Sequence, residues 1–249
     1  MPYHPKIAPW PEKYTGLLPV SEVFYSLQGE GRFAGVPAVF VRLKYCNLGC
    51  IWCDTRFTWE DGKIEQGALF SASDLADRAA DLIASPYATL ENVHVVLTGG
   101  EPMLHQDRLP ALVDELGKRG FYFFEIETNG MFVPSQEMVE RISWWNCSPK
   151  LTNNGLAREV NIVPEVLHAI AATGRADFKF VVQKRADLDE IARDFESLVG
   201  AEKIILMPEG ITPQSQLAVM PWLMEECSRR GYRFLPRLQV LAWGNQRGR

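Results

Sequence analysis

The sequence predicts an α/β protein, a partial TIM-like (β/α) barrel of about six βα units around a mainly parallel sheet. Short runs rich in Val, Ile and Phe, typical of buried strands, alternate along the chain with amphipathic helical patterns. The clearest helix carries apolar residues at i, i+3, i+4 and i+7, namely Leu109, Leu112, Val113 and Leu116. Gly120 follows, where a left-handed turn would end that helix.

The predicted elements alternate along the chain. Strand-like runs cover 37–45, 93–97, 121–126, 144–147, 177–182, 203–207 and 232–235. Besides the helix around 109–116, helical patterns cover 73–84, 134–142, 164–173, 186–199 and 213–230. Strands joined by helices pair in parallel, and the loops that leave their carboxyl ends build the active site in such folds. Motifs that directly follow a strand are therefore the first candidates for chemistry.

Composition favours a single domain that acts on a small molecule. The chain has 249 residues, enough for one sizeable α/β core. Its 26 Lys and Arg against 31 Asp and Glu give a net charge of -5, with no basic block suited to nucleic acid. No apolar run has bilayer length, and the first residues lack an apolar signal segment. We expect a cytoplasmic, soluble single domain over 1–249, with an N-terminal extension at 1–36 and a polar loop insertion at 54–70.

Three of the five cysteines lie within the run YCNLGCIWCDT, directly after a predicted strand. This grouping favours a metal or cluster in a reducing compartment over a disulfide framework. Cys46, Cys50 and Cys53 have the spacing CxxxCxxC, and no fourth Cys or His is close in sequence. Structural zinc and electron-transfer clusters normally have four protein ligands, so three indicate a metal position left open for chemistry. Cys147 and Cys227 stand alone and are predicted to be small buried core residues.

Short polar or glycine-rich motifs follow four later strands. They are TGGEP at 98–102, ETNG at 127–130, SPK at 148–150 and MPEG at 207–210. Adjacent glycines let the backbone approach a ligand closely, and polar side chains at strand ends can bond hydroxyl and carboxylate groups. Alone, each Gly-containing motif could be an ordinary turn. Their common position after strands indicates one ligand site at the carboxyl edge of the sheet.

With these motifs, the cysteine loop resembles that of the radical S-adenosylmethionine superfamily. The resemblance implies that Cys46, Cys50 and Cys53 hold a [4Fe-4S] cluster whose open iron binds the methionine part of S-adenosylmethionine. It also implies cleavage of that cofactor to a 5′-deoxyadenosyl radical. The residues that it implies for cofactor binding are Trp52, Asp54, Gly100, Glu101, Asn129, Ser148, Pro149, Lys150, Met207, Pro208 and Glu209.

Within this superfamily, LQGEG at 27–31, FVRL at 40–43 and the closing LAWGNQRG resemble the 7-carboxy-7-deazaguanine synthase family. The family converts 6-carboxy-5,6,7,8-tetrahydropterin to 7-carboxy-7-deazaguanine, a precursor of queuosine and other 7-deazapurines, with loss of ammonia. The resemblance therefore implies a lyase whose N-terminal extension binds substrate. It implies substrate contacts from Leu27, Gln28, Gly29, Arg42 and Thr98.

The family resemblance also implies Mg²⁺, held by the Thr55 hydroxyl and by substrate oxygens, as suits a hard ion that needs few protein ligands. It implies a homodimer and an electron donor such as flavodoxin or ferredoxin. A pterin carboxylate suits a forked guanidinium such as that of Arg42. Gln239 departs from the resemblance, since a His is expected near this position, and 153–155 predict a flexible loop. No acid or base can be assigned from the sequence.

Two other classes of protein fit part of the pattern. A glycyl-radical activating enzyme would share the cysteine spacing and compact size, but it would act on a protein partner and has no evident use for QGEG or Thr55. A non-enzymatic iron-sulfur or zinc protein would need only the cysteines. Metal content and turnover distinguish these alternatives.

Overall fold

The computed structural model describes residues 15–60, 69–83 and 88–249. Three predicted segments lie partly outside the described residues: the N-terminal extension at 1–14, the polar loop at 61–68, and the helix at 73–84 in its last residue. Among the described residues, no helix combines the length and apolarity that crossing a membrane requires.

Nine strands form one sheet in the order β3-β1-β2-β4-β5-β6-β7-β8-β9. Their bounds are β1 Leu18–Leu27, β2 Pro37–Leu43, β3 Leu69–Phe70, β4 His94–Gly99, β5 Phe124–Thr128, β6 Trp144–Cys147, β7 Ala176–Val182, β8 Ile204–Pro208 and β9 Arg233–Phe234. From β2 to β9 all neighbours are parallel, whereas β1 pairs antiparallel with β2 and β3. The structure thus confirms the mainly parallel α/β fold, with β3 and β9 as edges of an open sheet.

The described residues contain nine α-helices, eight of them between strands and the ninth after the last strand. They are α1 Ala72–Asp81, α2 Leu109–Arg119, α3 Gln136–Arg141, α4 Arg158–Asn161, α5 Pro164–Ala172, α6 Arg185–Asp194, α7 Glu196–Val199, α8 Pro213–Arg230 and α9 Leu238–Trp243. Their ends follow the local sequence. Ser71 and Ser135 accept hydrogen bonds from first-turn amides of α1 and α3, and Gly120 ends α2 at φ 104°. Such caps fix the residues at which these helices begin and end.

The core lies between the parallel sheet and the helices that follow its strands. Leu109, Leu112 and Leu116 of α2 are fully buried, as their spacing predicts. The strands β4 and β8 are almost entirely buried and carry the apolar runs VVL and IILM, without polar alternation. These buried strands fix the positions at which the site loops leave the sheet.

Two of the differences from the sequence prediction involve long segments. The N-terminal extension contains a ten-residue strand, β1, which sequence patterning misses because Ser21 and Glu22 interrupt its apolar run. Its register sets Phe24 against Phe40 of β2, with ring centroids 4.9 Å apart. The predicted helix 186–199 is divided into α6 and α7 at Phe195, which is fully buried and packs edge-on against Phe180. Burial of this aromatic side chain outweighs continuation of the helix.

Candidate active site

A cavity of about 240 Å³ lies at the carboxyl edge of the sheet, beyond the ends of β2 and β4 to β8. Most residues predicted for the site line this cavity. They are Leu27, Gln28, Gly29, Arg42, Cys46, Cys50, Trp52, Cys53, Asp54, Thr55, Thr98, Gly100, Asn129, Ser148, Lys150, Met207 and Glu209. Glu101, Pro149 and Pro208 are the predicted residues that do not line it. The fold therefore brings the predicted cofactor and substrate residues to one place, while their individual roles stay predictions.

The cysteine loop is held against the glycine motif of β4 by close backbone packing. Tyr45, directly before Cys46, has a φ of 75°, a left-handed conformation that turns the chain out of β2. A Cβ atom on Gly100 would lie 2.1 Å from the Tyr45 carbonyl oxygen and 2.9 Å from Cβ of Cys46. Backbone bonds from Gly100 to Leu43 and from Glu101 to Tyr45 join the two segments. Glycine is thus required at position 100 by the cysteine loop itself.

Each of the three cysteine sulfurs has a hydrogen-bonding neighbour. The Leu48 amide donates to Cys46 Sγ at 3.4 Å, Asn154 Nδ2 donates to Cys50 Sγ at 3.6 Å, and Trp59 Nε1 donates to Cys53 Sγ at 3.4 Å. Donors to cluster sulfurs stabilise negative charge there and tune iron-sulfur centres. Sequence reasoning predicted the three cysteines but neither of the two side-chain donors, which lie six and 104 positions away from their partners.

The chemistry of this donor set fits a [4Fe-4S] cluster. All three cysteines are free thiols at the cavity wall. Burial raises the pKa of the metal-free Cys46 thiol to about 12 and also raises the pKa of Cys50, so binding of a cluster would release protons. Within the described ranges, no three His, Cys, Asp or Glu side chains converge on a single ion. A cluster does not need such convergence, because each cysteine binds its own iron.

Glu101 connects the loops around the cavity through hydrogen bonds, although it does not line the cavity itself. Its carboxylate is fully buried and accepts hydrogen bonds from the Met103 amide at 3.0 Å, the Thr128 hydroxyl at 2.8 Å and the Asn129 amide at 2.7 Å. Burial raises the pKa of Glu101 to about 7, against these hydrogen bonds, which lower it. The carboxylate thus joins the ends of β4 and β5, and its three bonds position Asn129 at the cavity wall.

The SPK motif and Trp52 form one side of the cavity. Lys150 Nζ donates to the Ser148 carbonyl at 2.8 Å and hydroxyl at 2.9 Å, and lies 5.8 Å from the Trp52 ring centroid. Trp52 Nε1 donates to the Asn153 carbonyl oxygen at 3.0 Å. The hydrogen bond from Nε1 therefore fixes the indole, and Trp52 lines the cavity. Its ring offers an apolar surface on which a flat ring of a ligand can pack.

At the other end of the cavity lies a buried charge cluster that the sequence analysis does not assign. Lys179 of β7 is fully buried and donates to Glu127 at 2.6 Å and to Glu30 at 3.0 Å. Gln28 Nε2 donates to Glu127 at 3.4 Å and to Glu125 at 3.1 Å. The signal was present in the sequence. Lys179 interrupts an apolar strand, and Glu125 and Glu127 share one face of β5.

Charge pairing and burial shift the pKa values in this cluster in opposite directions. Burial raises the pKa of Glu127 to about 7 despite the nearby Lys179 ammonium. For Glu30, burial raises the pKa, but Lys179 and Arg237 together bring it well below its usual range. Burial lowers the pKa of Lys179, but its two carboxylate partners raise it above its usual range. Glu127 is therefore the member closest to exchanging a proton at neutral pH.

The chain tail reaches both ends of the cavity. Arg237 donates to Glu30 at 3.0 Å and also forms a short ion pair with Asp54, next to the third cysteine. Gln239 Nε2 donates to Glu30 at 2.8 Å, and its buried Oε1 has no hydrogen-bond partner among the described residues. A Cβ on Gly29 would lie 1.9 Å from that Oε1. Gln239 stands where the family resemblance leads us to expect a His. Its side chain lines the cavity wall.

Two predicted ligand residues carry other contacts in the structure. Arg42 Nε donates to Glu22 at 2.7 Å, with its side chain 17% exposed. Thr55 Oγ1 lies 3.6 Å from Cys53 Sγ. Both residues line the cavity, so the predictions that Arg42 binds a substrate carboxylate and that Thr55 binds Mg²⁺ remain open.

Comparisons with known proteins agree with this geometry. A sequence profile described as "4Fe-4S single cluster domain" matches residues 27–135, which include the cysteine loop. The 7-carboxy-7-deazaguanine synthase of Pyrobaculum aerophilum is 34% identical over 92% of this chain and 96% of its own length. That of Halobacterium salinarum is 35% identical over 92% of this chain and 91% of its own. The crystal structure of QueE from Escherichia coli superposes with a TM-score of 0.64 at 28% identity, covering 89% of this chain and 94% of that one.

The fold, the three-cysteine loop and the surrounding motifs define a radical S-adenosylmethionine enzyme with a [4Fe-4S] cluster. Within that class, the extent of the similarity identifies the group of relatives. The chain belongs to the 7-carboxy-7-deazaguanine synthase family.

Proposed function

We propose that this protein is a lyase that converts 6-carboxy-5,6,7,8-tetrahydropterin to 7-carboxy-7-deazaguanine and ammonia, in the route to queuosine and related 7-deazapurines. One observation supports this proposal above the others. A single cavity joins the three-cysteine loop to the cluster of Glu30, Glu127 and Lys179. A radical source and a polar binding end thus share one space.

The cysteine end would hold the cofactors. Cys46, Cys50 and Cys53 would bind the cluster, and Trp52, Asn129 and the SPK motif would surround S-adenosylmethionine. When bound, these cofactors supply a 5′-deoxyadenosyl radical that can abstract a hydrogen atom from the substrate. The protein's part is to fix the cysteine loop through Gly100 and Glu101 and to exclude water with buried side chains.

The charged end would hold the pterin. A pterin presents ring N–H and amino groups, which are donors, and the Glu127 carboxylate and Gln28 amide oxygen are acceptors at the cavity wall. Gln28 is 2% exposed and tied to two carboxylates, so its orientation is fixed. With a pKa raised to about 7 by burial, Glu127 could accept or return a proton during rearrangement of the ring.

The proposal assigns the substrate carboxylate to Arg42 and the metal to Thr55. Arg42 would bind the carboxylate through guanidinium nitrogens other than the Nε that donates to Glu22. Thr55 would give its hydroxyl to Mg²⁺, and substrate oxygens and water would complete the shell. The family resemblance supports Thr55 for this role, and Thr55 lines the cavity, whereas the neighbouring Asp54 is engaged by Arg237.

The remaining elements of the proposal concern organisation and supply of electrons. We propose one domain over 1–249 that includes the substrate-binding extension and the polar loop insertion, acts as a homodimer in the cytoplasm, and receives electrons from a flavodoxin or ferredoxin. The family resemblance supports these points. Size determination in solution and reduction by purified donor proteins test them.

The test of the proposed function is turnover by anaerobically reconstituted protein. We expect it to consume 6-carboxy-5,6,7,8-tetrahydropterin with less than stoichiometric S-adenosylmethionine, to release ammonia, and to run faster when Mg²⁺ is added. Mass spectrometry of the product and iron analysis are measured together. No turnover by protein with an intact cluster would refute the proposal. A colourless preparation that holds zinc and no iron would instead favour a binding protein.

A further inference from the structure

The turn that follows the SPK motif is anchored rather than flexible, contrary to its sequence. In this turn, residues 151–156, the Thr152 amide and hydroxyl donate to Glu190 at 2.9 and 2.6 Å. Asn153 Nδ2 donates to the Val181 carbonyl and to Asp187, both at 3.0 Å. These bonds tie the turn to β7 and α6, so its position is set by the rigid part of the fold.

The same turn lies against the cysteine loop. The Ile51 amide donates to the Asn154 carbonyl oxygen at 3.0 Å, and Gly155 has a φ of 85°. A Cβ on Gly155 would lie 2.7 Å from Cγ2 of Ile51, so a larger residue would push the two segments apart. At this contact, Asn154 is fully buried and its Nδ2 lies 3.6 Å from Cys50 Sγ.

The hydrogen bonds around Asn154 fix which end of its amide faces the sulfur. Its Oδ1 accepts from the Leu156 amide at 2.8 Å, and a backbone N–H can only donate. Asn161 is oriented in the same way, since its Nδ2 donates to the Leu151 carbonyl at 3.3 Å and its Oδ1 accepts from Asn154 Nδ2 at 2.8 Å. Asn161 Nδ2 also donates to Asn154 Oδ1 at 3.2 Å, so rotating the Asn154 amide by half a turn would break three bonds. Its two N–H groups are therefore directed at Asn161 and at Cys50.

We propose that Asn154 is a positioning residue whose N–H donates to the Cys50 sulfur and raises the reduction potential of the cluster. A donor to a thiolate ligand stabilises the more negative, reduced state of an iron-sulfur centre. The donors to the other two sulfurs are of different kinds. Cys46 accepts from a backbone amide, which substitution cannot remove, and Cys53 accepts from the Trp59 indole. The inference rests on the proposed function only in requiring that a cluster is bound, since neither substrate nor turnover enters it.

Two apolar substitutions in the same amide pair separate this role from a packing role. Asn154→Leu removes the donor to Cys50, whereas Asn161→Leu disrupts the same buried pair but leaves the Asn154 amide in place. Both proteins are reconstituted with iron and sulfide, and the cluster is titrated by EPR without S-adenosylmethionine or substrate. We expect Asn154→Leu to shift the redox equilibrium about tenfold toward the oxidised cluster, which is about 59 mV for one electron. The shift in Asn161→Leu should be less than half of this.

Equal potentials in wild type and Asn154→Leu, or equal shifts in the two variants, would overturn the inference while leaving the proposed function intact. If Asn154→Leu fails to assemble a cluster, the wild-type protein decides the question. With asparagine labelled by ¹⁵N at its side chain, pulsed EPR of the reduced cluster should show a ¹⁵N coupling. Asn47 also lies beside a cysteine, with its Oδ1 4.0 Å from Cys46 Sγ, so the coupling should persist in Asn47→Ser. Its absence would refute the hydrogen bond. A wild-type protein that binds no cluster would overturn both proposals.

Discussion

The two ends of the cavity are built on different physical principles. At the cysteine end, the side chains are held by neutral donors and close backbone packing, as at Gly100 and Asn154. At the other end, full charges are buried together, with Lys179 between Glu30 and Glu127. A cluster needs shape and a tuned electrostatic environment, whereas a polar substrate needs fixed donors and acceptors.

This difference predicts how each end fails. Neutral hydrogen bonds fail locally, because loss of one partner leaves at most one uncharged group unsatisfied. A buried ion cluster fails as a unit, because removal of the cation leaves carboxylates uncompensated. Substitutions of neutral groups at the cysteine end should therefore change the cofactor with little effect on stability, and Glu101 is the exception because its carboxylate is fully buried. Substitutions at the charged end should change both stability and substrate binding.

The largest effect is expected for Cys50→Ala, which should abolish the cluster and all cleavage of S-adenosylmethionine. One of the three cluster ligands is lost, and alanine carries no atom that can bind iron. Iron content, absorbance and 5′-deoxyadenosine formation are measured. The matched control is Cys227→Ala, since that cysteine is also buried but donates to the Arg233 carbonyl, away from the cavity. Retention of iron by Cys50→Ala would contradict the ligand assignment.

Lys179→Met should lower the free energy of unfolding of the metal-free protein by about 3–5 kcal/mol, because it leaves two buried carboxylates without their cation. Urea denaturation measures the change. Lys203→Met serves as the control, since Lys203 donates to the Ala171 carbonyl at 3.3 Å and pairs with no carboxylate among the described residues. Adding Glu127→Gln to Lys179→Met should restore part of the stability. A loss below about 1 kcal/mol for Lys179→Met would show that the cluster is not a structural unit.

Glu101 should make the stability depend on pH. Burial raises the pKa of Glu101 from 4.5 to about 7, so its contribution is fully present below pH 4.5 and is lost as the pH rises through 7. The shift corresponds to about 3 kcal/mol. Glu101→Gln carries no titrating proton, and its stability relative to wild type should therefore rise by that amount between pH 4.5 and 8.

Urea denaturation of the metal-free protein across this pH range tests the Glu101 prediction. At every pH the variant also loses a hydrogen bond, since an amide cannot accept from all three donors, so the informative quantity is the change with pH. Glu115→Gln on the surface of α2 is the control, and its stability relative to wild type should not rise over this range. A constant difference for Glu101→Gln would mean that the carboxylate is ionised throughout.

The smallest effect is expected for Arg42→Ala, which should weaken substrate binding about tenfold, or about 1.4 kcal/mol, and leave the cluster intact. The reason is the loss of a guanidinium that can bind a carboxylate at the cavity wall. Binding of the pterin to reconstituted protein is measured by calorimetry. Glu22→Gln is the control, because it removes the ion pair and keeps the guanidinium. Equal effects of the two substitutions would assign Arg42 to structure alone.

The cofactor end could largely be predicted from the sequence, whereas the substrate end could not. Cys46, Cys50 and Cys53 lie on one continuous loop, and TGGEP and SPK are short motifs after strands, so their spacing is readable along the chain. The charged end combines residues from β1–β2, β5, β7 and the tail, as shown by the bonds from Lys179 to Glu30 and Glu127 and from Arg237 to Glu30. Gln28, Gly29 and Glu30 belong to LQGEG and Glu127 belongs to ETNG, but neither motif indicates that these carboxylates pair with Lys179.

The sequence by itself determined the types of most elements and the parallel order of the βα units, and it predicted the cysteine ligand set. Each of these depends on local periodicity or on contiguous spacing. Only the tertiary structure decided that β1 adds an antiparallel strand, that Lys179 pairs with Glu127 and Glu30, and that Asn154 faces Cys50. Such contacts depend on strand register and burial, which bring residues as many as 149 positions apart into contact. Their strength comes from the loss of water around them, a property of the folded chain.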